Sequence, residues 1–309
     1  MSYERFKNID FVGKSRIFYI ISISITILGL IFLLTRGFNY GVDFRSGSNV
    51  DISLSQAITQ EQIQPILDEI GIGDEASITP GNDRINIRFS EVLTEDQDLQ
   101  LRAGVEALDE TATFEINTVD PEMAKELGRN AIYAVLLSCI GIIIYVSIRF
   151  EWRFAIAAII ALMHDAFVVI SVFSILGLEV NLTFIIAVLT VIGYSINDTI
   201  VIFDRIRENL RFTKVKRFSD LKELVNKSLA QTIGRSIYTA LSVFFAAFFM
   251  LIMGGESIQM FSLAICIGLA FGAYSSIFIA SPLWLTLKRR NVNSDKPKPP
   301  KPNKDKIEI

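Results

Sequence analysis

Two charged residues stand where apolar ones are needed. Asp198 lies inside the run NLTFIIAVLTVIGYSINDTIVIFDRIREN from Asn181 to Asn209, and Arg235 lies near the start of the next apolar stretch. A charge within hydrocarbon costs about 2.5 to 3.5 kcal/mol on insertion scales, so such residues face a bundle interior, pair with one another, or line an ion or substrate path. Asp198 sits seven residues before Arg205 and Arg235 eight after Lys227. Either interval is roughly 10 to 12 Å of helix, which gives the two charges matched depth on consecutive antiparallel helices. A carboxylate to guanidinium contact within about 4 Å is expected between them. Thr239 and Ser242 follow Arg235 at i+4 and i+7, and Ser195 precedes Asp198 by three, giving each helix a polar stripe. Asn197 adjoins Asp198, and His164, the chain's single histidine, stands with Asp165 in another apolar run. An acid whose proton affinity changes as an arginine approaches and retreats can carry a proton, because charge proximity and desolvation shift it in opposite directions. An inert ion pair that holds two helices together is the alternative.

Other chemistry is missing from the sequence. It has no phosphate-cradling glycine loop with its lysine, no Cys/His cluster of metal spacing, and no Ser/His/Asp set outside the apolar runs. The chain reads as no enzyme, with no cofactor, no metal and no nucleic-acid partner. Energy for any transport would come from an ion gradient or a partner. Cys139 and Cys266 both lie in apolar runs and read as packed free thiols.

The elements that must position these residues are membrane spans. Of 309 residues 51% are hydrophobic, 23 are Phe, and the mean hydropathy is +0.43, which marks a polytopic membrane protein. The formal net charge of -3 says little, because charge is partitioned by region. Six apolar stretches are long enough to cross: about Ile17 to Thr35, Ala131 to Ile148, Phe154 to Leu176, Leu182 to Phe203, Ile237 to Met253 and Ile258 to Leu287. Lys and Arg gather in residues 1–16, at Arg149 and Arg153, across 204–231 and in the tail 288–309. The turns 177–181 and 254–257 have none. By the positive-inside rule the basic regions and both termini are cytoplasmic. The basic start followed by an apolar run without a cleavage site reads as an uncleaved anchor.

Residues 36–128 then fall on the outer face and are too long for a loop. Strand alternation at Asn49 to Ser55, Ala76 to Thr79, Arg84 to Phe89 and Thr111 to Thr118 brackets helical spacing at Thr59 to Ile70 and Thr94 to Asp109. Thr59 and the set Thr94-Glu95-Asp96-Gln97 supply the helix caps, and Pro80-Gly81-Asn82-Asp83 supplies a turn. The order strand, helix, strand, strand, helix, strand is the ferredoxin-like (βαββαβ) plan. Residues 129–287 hold the other five spans, with 204–231 expected as an amphipathic helix at the inner surface. The Lys/Pro tail is expected to be disordered.

The stretch VIGYSINDTIVIFDRIREN, Val191 to Asn209, closely resembles the signature of the SecF family of protein-export membrane subunits, within the resistance-nodulation-division superfamily. GVDFRSGS (Gly41 to Ser48), the pair His164-Asp165 and TIGRSIYTALSVF around Arg235 extend the resemblance over nearly the whole chain except its tail. It implies a bacterial inner-membrane protein with its outer domain between spans one and two. It also implies a SecD partner with which twelve spans conduct protons, and assistance to preprotein passage through the Sec translocase channel. Asp198 is then the protonatable carboxylate and Arg235 its charged partner, with His164, Asp165, Asn197, Ser195 and Thr239 as supporting polar residues and Asp43 and Phe44 as a domain anchor. The sequence departs from the family at Asp43-Phe44-Arg45-Ser46-Gly47, where Asp-Phe-x-Gly-Gly is usual. Ser46 has less freedom than glycine at positive φ. A self-contained efflux transporter and a purely structural scaffold are the competing readings.

Overall fold

The computed structural model describes residues 4 to 294 apart from 5, 56, 57, 74, 75, 82 and 83. Among the described residues six helices are long and apolar enough to cross a membrane: Phe11–Arg36, Pro121–Arg149, Trp152–Leu176, Leu182–Phe212, Phe218–Met253 and Ile258–Arg289, here spans one to six. Half or more of the most apolar stretch is buried in spans three and six, against 11% in spans one, two and five, so three, four and six form the centre. Small residues permit their close approach, as is usual where lipid is as apolar as the side chains. A Cβ on Gly29 of span one would fall 2.1 Å from the Ser171 side chain of span three, and one on Gly268 of span six 2.1 Å from Val191 of span four. Gly29→Leu is expected to force spans one and three apart and to lower stability by about 1 to 3 kcal/mol, the usual cost of overpacking, read as a lower thermal midpoint in lipid.

Span six is not a continuous α-helix. A π-turn covers Ser276–Ala280, just before Pro282, whose ring nitrogen donates no hydrogen bond. Ser281 donates through its hydroxyl to the Ser276 carbonyl at 2.9 Å. The first span is tied to the fifth at the end remote from the sheet. Asp10 accepts from Gly13 N (2.8 Å), Asn226 Nδ2 (2.9 Å) and Lys222 Nζ (2.5 Å). The Lys222 bond is the main force holding the Asp10 carboxyl down, to about 2.

Two boundaries differ from the sequence reading. The expected separate helix across 204–231 does not exist: span four runs on to Phe212 and span five begins at Phe218. The apolar positions in that region, Leu221, Leu224 and Val225, are buried against the bundle. Asn209 Nδ2 donates to Ser228 Oγ at 2.8 Å and Gln231 Oε1 at 2.9 Å, which locks the two helices side by side. Span two likewise begins at Pro121, ten residues before the apolar run, with proline in the first turn, where its missing N–H does no harm. The tail from 295 lies outside the described residues, as do Asn82 and Asp83 of the expected turn.

Between spans one and two lies a four-stranded antiparallel sheet of β2 (Gly47–Ser53), β3 (Ala76–Pro80), β4 (Arg84–Phe89) and β5 (Thr113–Val119), in the order β3-β4-β2-β5. Helices Gln60–Ile70 and Glu95–Glu106 connect β2 to β3 and β4 to β5. The second opens with the reciprocal cap read from sequence: Gln97 N donates to Thr94 Oγ1 and Thr94 N to Gln97 Oε1. Alternation puts Val50, Ile52, Ile85 and Ile87 into a core with Ile63, Leu67, Leu101 and Val105 of the two helices. Asp109 then braces the domain by accepting from both the amide and the hydroxyl of Ser55 and of Thr111. Those four bonds hold its carboxyl well below the usual range, the Thr111 hydroxyl contributing most.

Candidate functional site

The polar face of the sheet meets the ends of the spans. β1 (Asn39–Tyr40), just after span one, pairs in parallel with β6 (Glu179–Val180), in the turn between spans three and four. Gly41 N donates to the Val180 carbonyl at 3.0 Å, and the Asp43 carboxylate accepts from Leu182 N at 2.8 Å, so Asp43 caps span four. Phe44 packs edge-on to Tyr40 with ring centres 6.2 Å apart. From β4, Arg88 forms an ion pair with Glu179, and Arg84 donates to the Gly254 carbonyl at 3.1 Å. Burial is the main force raising the Glu179 carboxyl above its usual range, Asp43 and Asp51 add to it, and Arg88 opposes it.

Within the bundle, Asp198 accepts from Ser236 Oγ at 2.6 Å. The two line a cavity of about 320 Å³ between spans four, five and six, with Ser195, Asn197, Thr239 and Gly272 also on its wall. The ion pair expected between Asp198 and Arg235 is not formed among the described residues. Arg235 and Ser236 are neighbours, about 100° apart around the helix, and it is Ser236 that points at Asp198. Arg235 is exposed and lines a different cavity with Asp204, Glu208 and Gln231. Asn197 and Thr239 are exposed as well, and the Thr239 hydroxyl is bonded to the Arg235 and Ser236 carbonyls of its own helix.

A second polar cluster lies deeper. Asp165 is fully buried and accepts from Ser195 Oγ and from Ser275 Oγ, the latter at 2.7 Å. Its other oxygen lies 2.9 Å from His164 Nδ1, and His164 Nε2 lies 3.3 Å from the Tyr274 hydroxyl. Ser236, Tyr274, Ser275 and Ser22 were not singled out from sequence. The Tyr-Ser-Ser run at 274–276, inside a span, was the readable signal. Among the described residues no group of three or more His, Cys, Asp or Glu is placed to hold a metal.

Comparison with known proteins places this arrangement. The family model "Protein export membrane protein SecD/SecF, C-terminal" matches residues 100–290, and "SecD/SecF GG Motif" matches residues 31–58. The chain is 44% identical over 290 residues to protein translocase subunit SecF of Alicyclobacillus acidocaldarius, covering 92% of this chain and 94% of that one. The chain belongs to the SecF family. It is also 43% identical to protein translocase subunit SecDF of Bacillus subtilis, covering 94% of this chain but 40% of that one. The crystal structure of SecDF from Thermus thermophilus, described as a translocon-associated membrane protein, superposes with a TM-score of 0.81 at 35% identity, over 91% of this chain and 39% of that one.

Within the glycine motif Ser46 takes φ 70° and ψ 167°, a region almost reserved for glycine. Gly47 follows at φ 121°, where a Cβ would meet the Phe89 carbonyl oxygen at 2.2 Å, so that glycine is obligatory. The chain therefore holds a serine in a turn that favours glycine. Ser46→Gly is expected to relieve about 1 kcal/mol or more and to raise the thermal midpoint of the sheet domain.

Proposed function

We infer that the chain is an accessory subunit of the protein translocase that works with a SecD half and uses proton movement to promote preprotein export. The observation that carries this is the Asp198 carboxylate at span depth, held by one hydroxyl and open to a polar-lined cavity. A structural ion pair would bury both charges against each other, whereas here the carboxylate and the guanidinium face separate cavities. Separate cavities at Asp198 and at Arg235 suit a proton that enters at the first and leaves through the second, with Arg235, Asp204 and Glu208 at the exit. The SecDF relatives, about two fifths of whose length this chain spans, support a SecD half as the partner that closes the exposed side at Tyr194, Asn197 and Thr239.

In this reading the chain sits in the bacterial inner membrane with both termini cytoplasmic, and the sheet domain is an extracytoplasmic ferredoxin-like module. The sheet order β3-β4-β2-β5 and the two connecting helices support that assignment. The chain catalyses no covalent chemistry. The test is proton flux into liposomes under an imposed gradient. Flux above that of empty liposomes is expected with both halves present and is not expected from this chain alone. Equal flux from the chain alone would favour a self-contained transporter, and none from the pair would favour a scaffold.

A further inference from the structure

Asp165 is not used in the path through Asp198, yet it is the more deeply buried carboxylate, at 0% exposure. Four spans converge on it. Span four supplies Ser195, span six supplies Ser275, and its own span supplies His164. Span six also places Tyr274 against His164 Nε2, and the Tyr274 hydroxyl lies 2.6 Å from Ser22 Oγ of span one. The titratable groups facing this cluster are His164 from span three and Tyr274 from span six. Span four offers Asp198 one turn beyond Ser195, and span one offers only Ser22. Among the described residues its one ion-pair partner is His164; neither Lys nor Arg reaches it. A buried carboxylate without a fixed cation is held at high cost unless protonation relieves it. Span six also leaves α-helical geometry immediately after Ser275, and single π-turns inside helices are frequent at functional sites.

We propose that Asp165 is a second proton-accepting site of the bundle, loaded through Tyr274 and His164. This rests on the proton-coupled reading above. In the empty state His164 carries its proton on Nδ1 and donates to ionised Asp165, while Nε2 accepts from Tyr274 and Tyr274 accepts from Ser22. A proton arriving at the Tyr274 oxygen releases the phenolic proton to Nε2. The imidazole then passes its Nδ1 proton to Asp165 Oδ1. One proton has entered, the carboxyl is neutral, tyrosine is again a phenol, and histidine is again neutral but with its proton on Nε2. Hydrogen bonds to an ionised acceptor are roughly twice as strong as neutral ones. Loading therefore loosens the hold of Asp165 on Ser195 and Ser275, and with it the packing of spans four and six against three.

His164 is the single histidine of the chain, so one labelled imidazole reports the site. The experiment is ¹⁵N NMR of the full chain in lipid, labelled at histidine, as the pH is lowered. The expected result is a switch from the Nδ1–H to the Nε2–H tautomer without build-up of imidazolium, abolished in Asp165→Asn and retained in Asp198→Asn. A doubly protonated imidazolium, an unchanging spectrum, or an intact switch in Asp165→Asn would overturn the proposal. Should Asp165→Asn not fold, the unsubstituted chain decides alone. A tautomer switch in a protein whose Asp198→Asn variant still conducts would uphold Asp165 and remove the Asp198 path. Plain imidazolium together with lost flux would do the reverse.

Discussion

Export of a secreted reporter is expected to collapse when Asp198 is replaced by asparagine, and proton flux through the reconstituted pair with it. Asparagine has nearly the same shape, and its carbonyl can still accept the Ser236 hydroxyl, so the cavity and the span packing survive. What disappears is the capacity to take up and release a proton. A positioned proton-transfer group is worth about 10²- to 10⁴-fold, so a drop of at least roughly 100-fold in flux is expected. Asp198→Glu restores the titrating group one methylene further out and should recover part of it. Ser236→Ala keeps the carboxylate and removes the one side-chain hydrogen bond it accepts among the described residues, so it should alter the pH dependence of flux more than its maximum. Unchanged export in Asp198→Asn, with the variant present at normal levels, would leave Asp198 as packing and return the chain to a scaffold role.

Depth was legible in the sequence and azimuth was not. The length of the apolar runs set the six crossings, and the alternation around Val50, Ile52, Ile85 and Ile87 set the inner face of the sheet, because both depend on local periodicity. Asp198 and Arg235 lie at similar heights along their helices, since Ser236, next to Arg235, bonds Asp198, but which side of each helix meets the other depends on how all six pack. Ser236 took the contact that Arg235 was expected to make. Asp165 was legible only as a supporting residue, since one of its buried partners, Ser275, lies 110 residues further on. The segment 204–231 was misread for a related reason. Its alternating charges suit a surface helix as well as they suit the end of a long span whose apolar side is covered by a neighbour. Ser46 is the reverse case: a serine where the family usually has glycine argues against a turn at positive φ, yet the backbone takes φ 70° there.

Arg88→Ala is expected to detach the sheet domain from the spans. Arg88 and Glu179 are 23% and 17% exposed at their side chains, and Glu179 lies close to Asp43 and Asp51. Removing the arginine leaves a mostly buried carboxylate with two like charges and, among the described residues, no ion-pair partner. Breaking a buried pair from one side costs about 3 to 5 kcal/mol, and partial exposure argues for roughly 3, or about a hundredfold in the docking equilibrium. The sign with pH follows from the direction of the Glu179 shift. Its carboxyl is raised from 4.5 when docked, burial being the main cause, so the docked state binds the proton more tightly. Docking is strongest below 4.5 and weakens as pH rises from there through the raised value. In Arg88→Ala the opposing charge is gone, the shift grows, and that window widens upward. The variant should therefore be close to normal in acid and most defective at neutral pH and above. Hydrogen exchange at the Gly41 amide reads this directly, because Gly41 N is bonded to the Val180 carbonyl across the same contact. Faster exchange at neutral pH that recovers on acidification is the expected result, and protection unchanged at both would mean that β1, β6 and the Asp43 cap hold the domain without the ion pair.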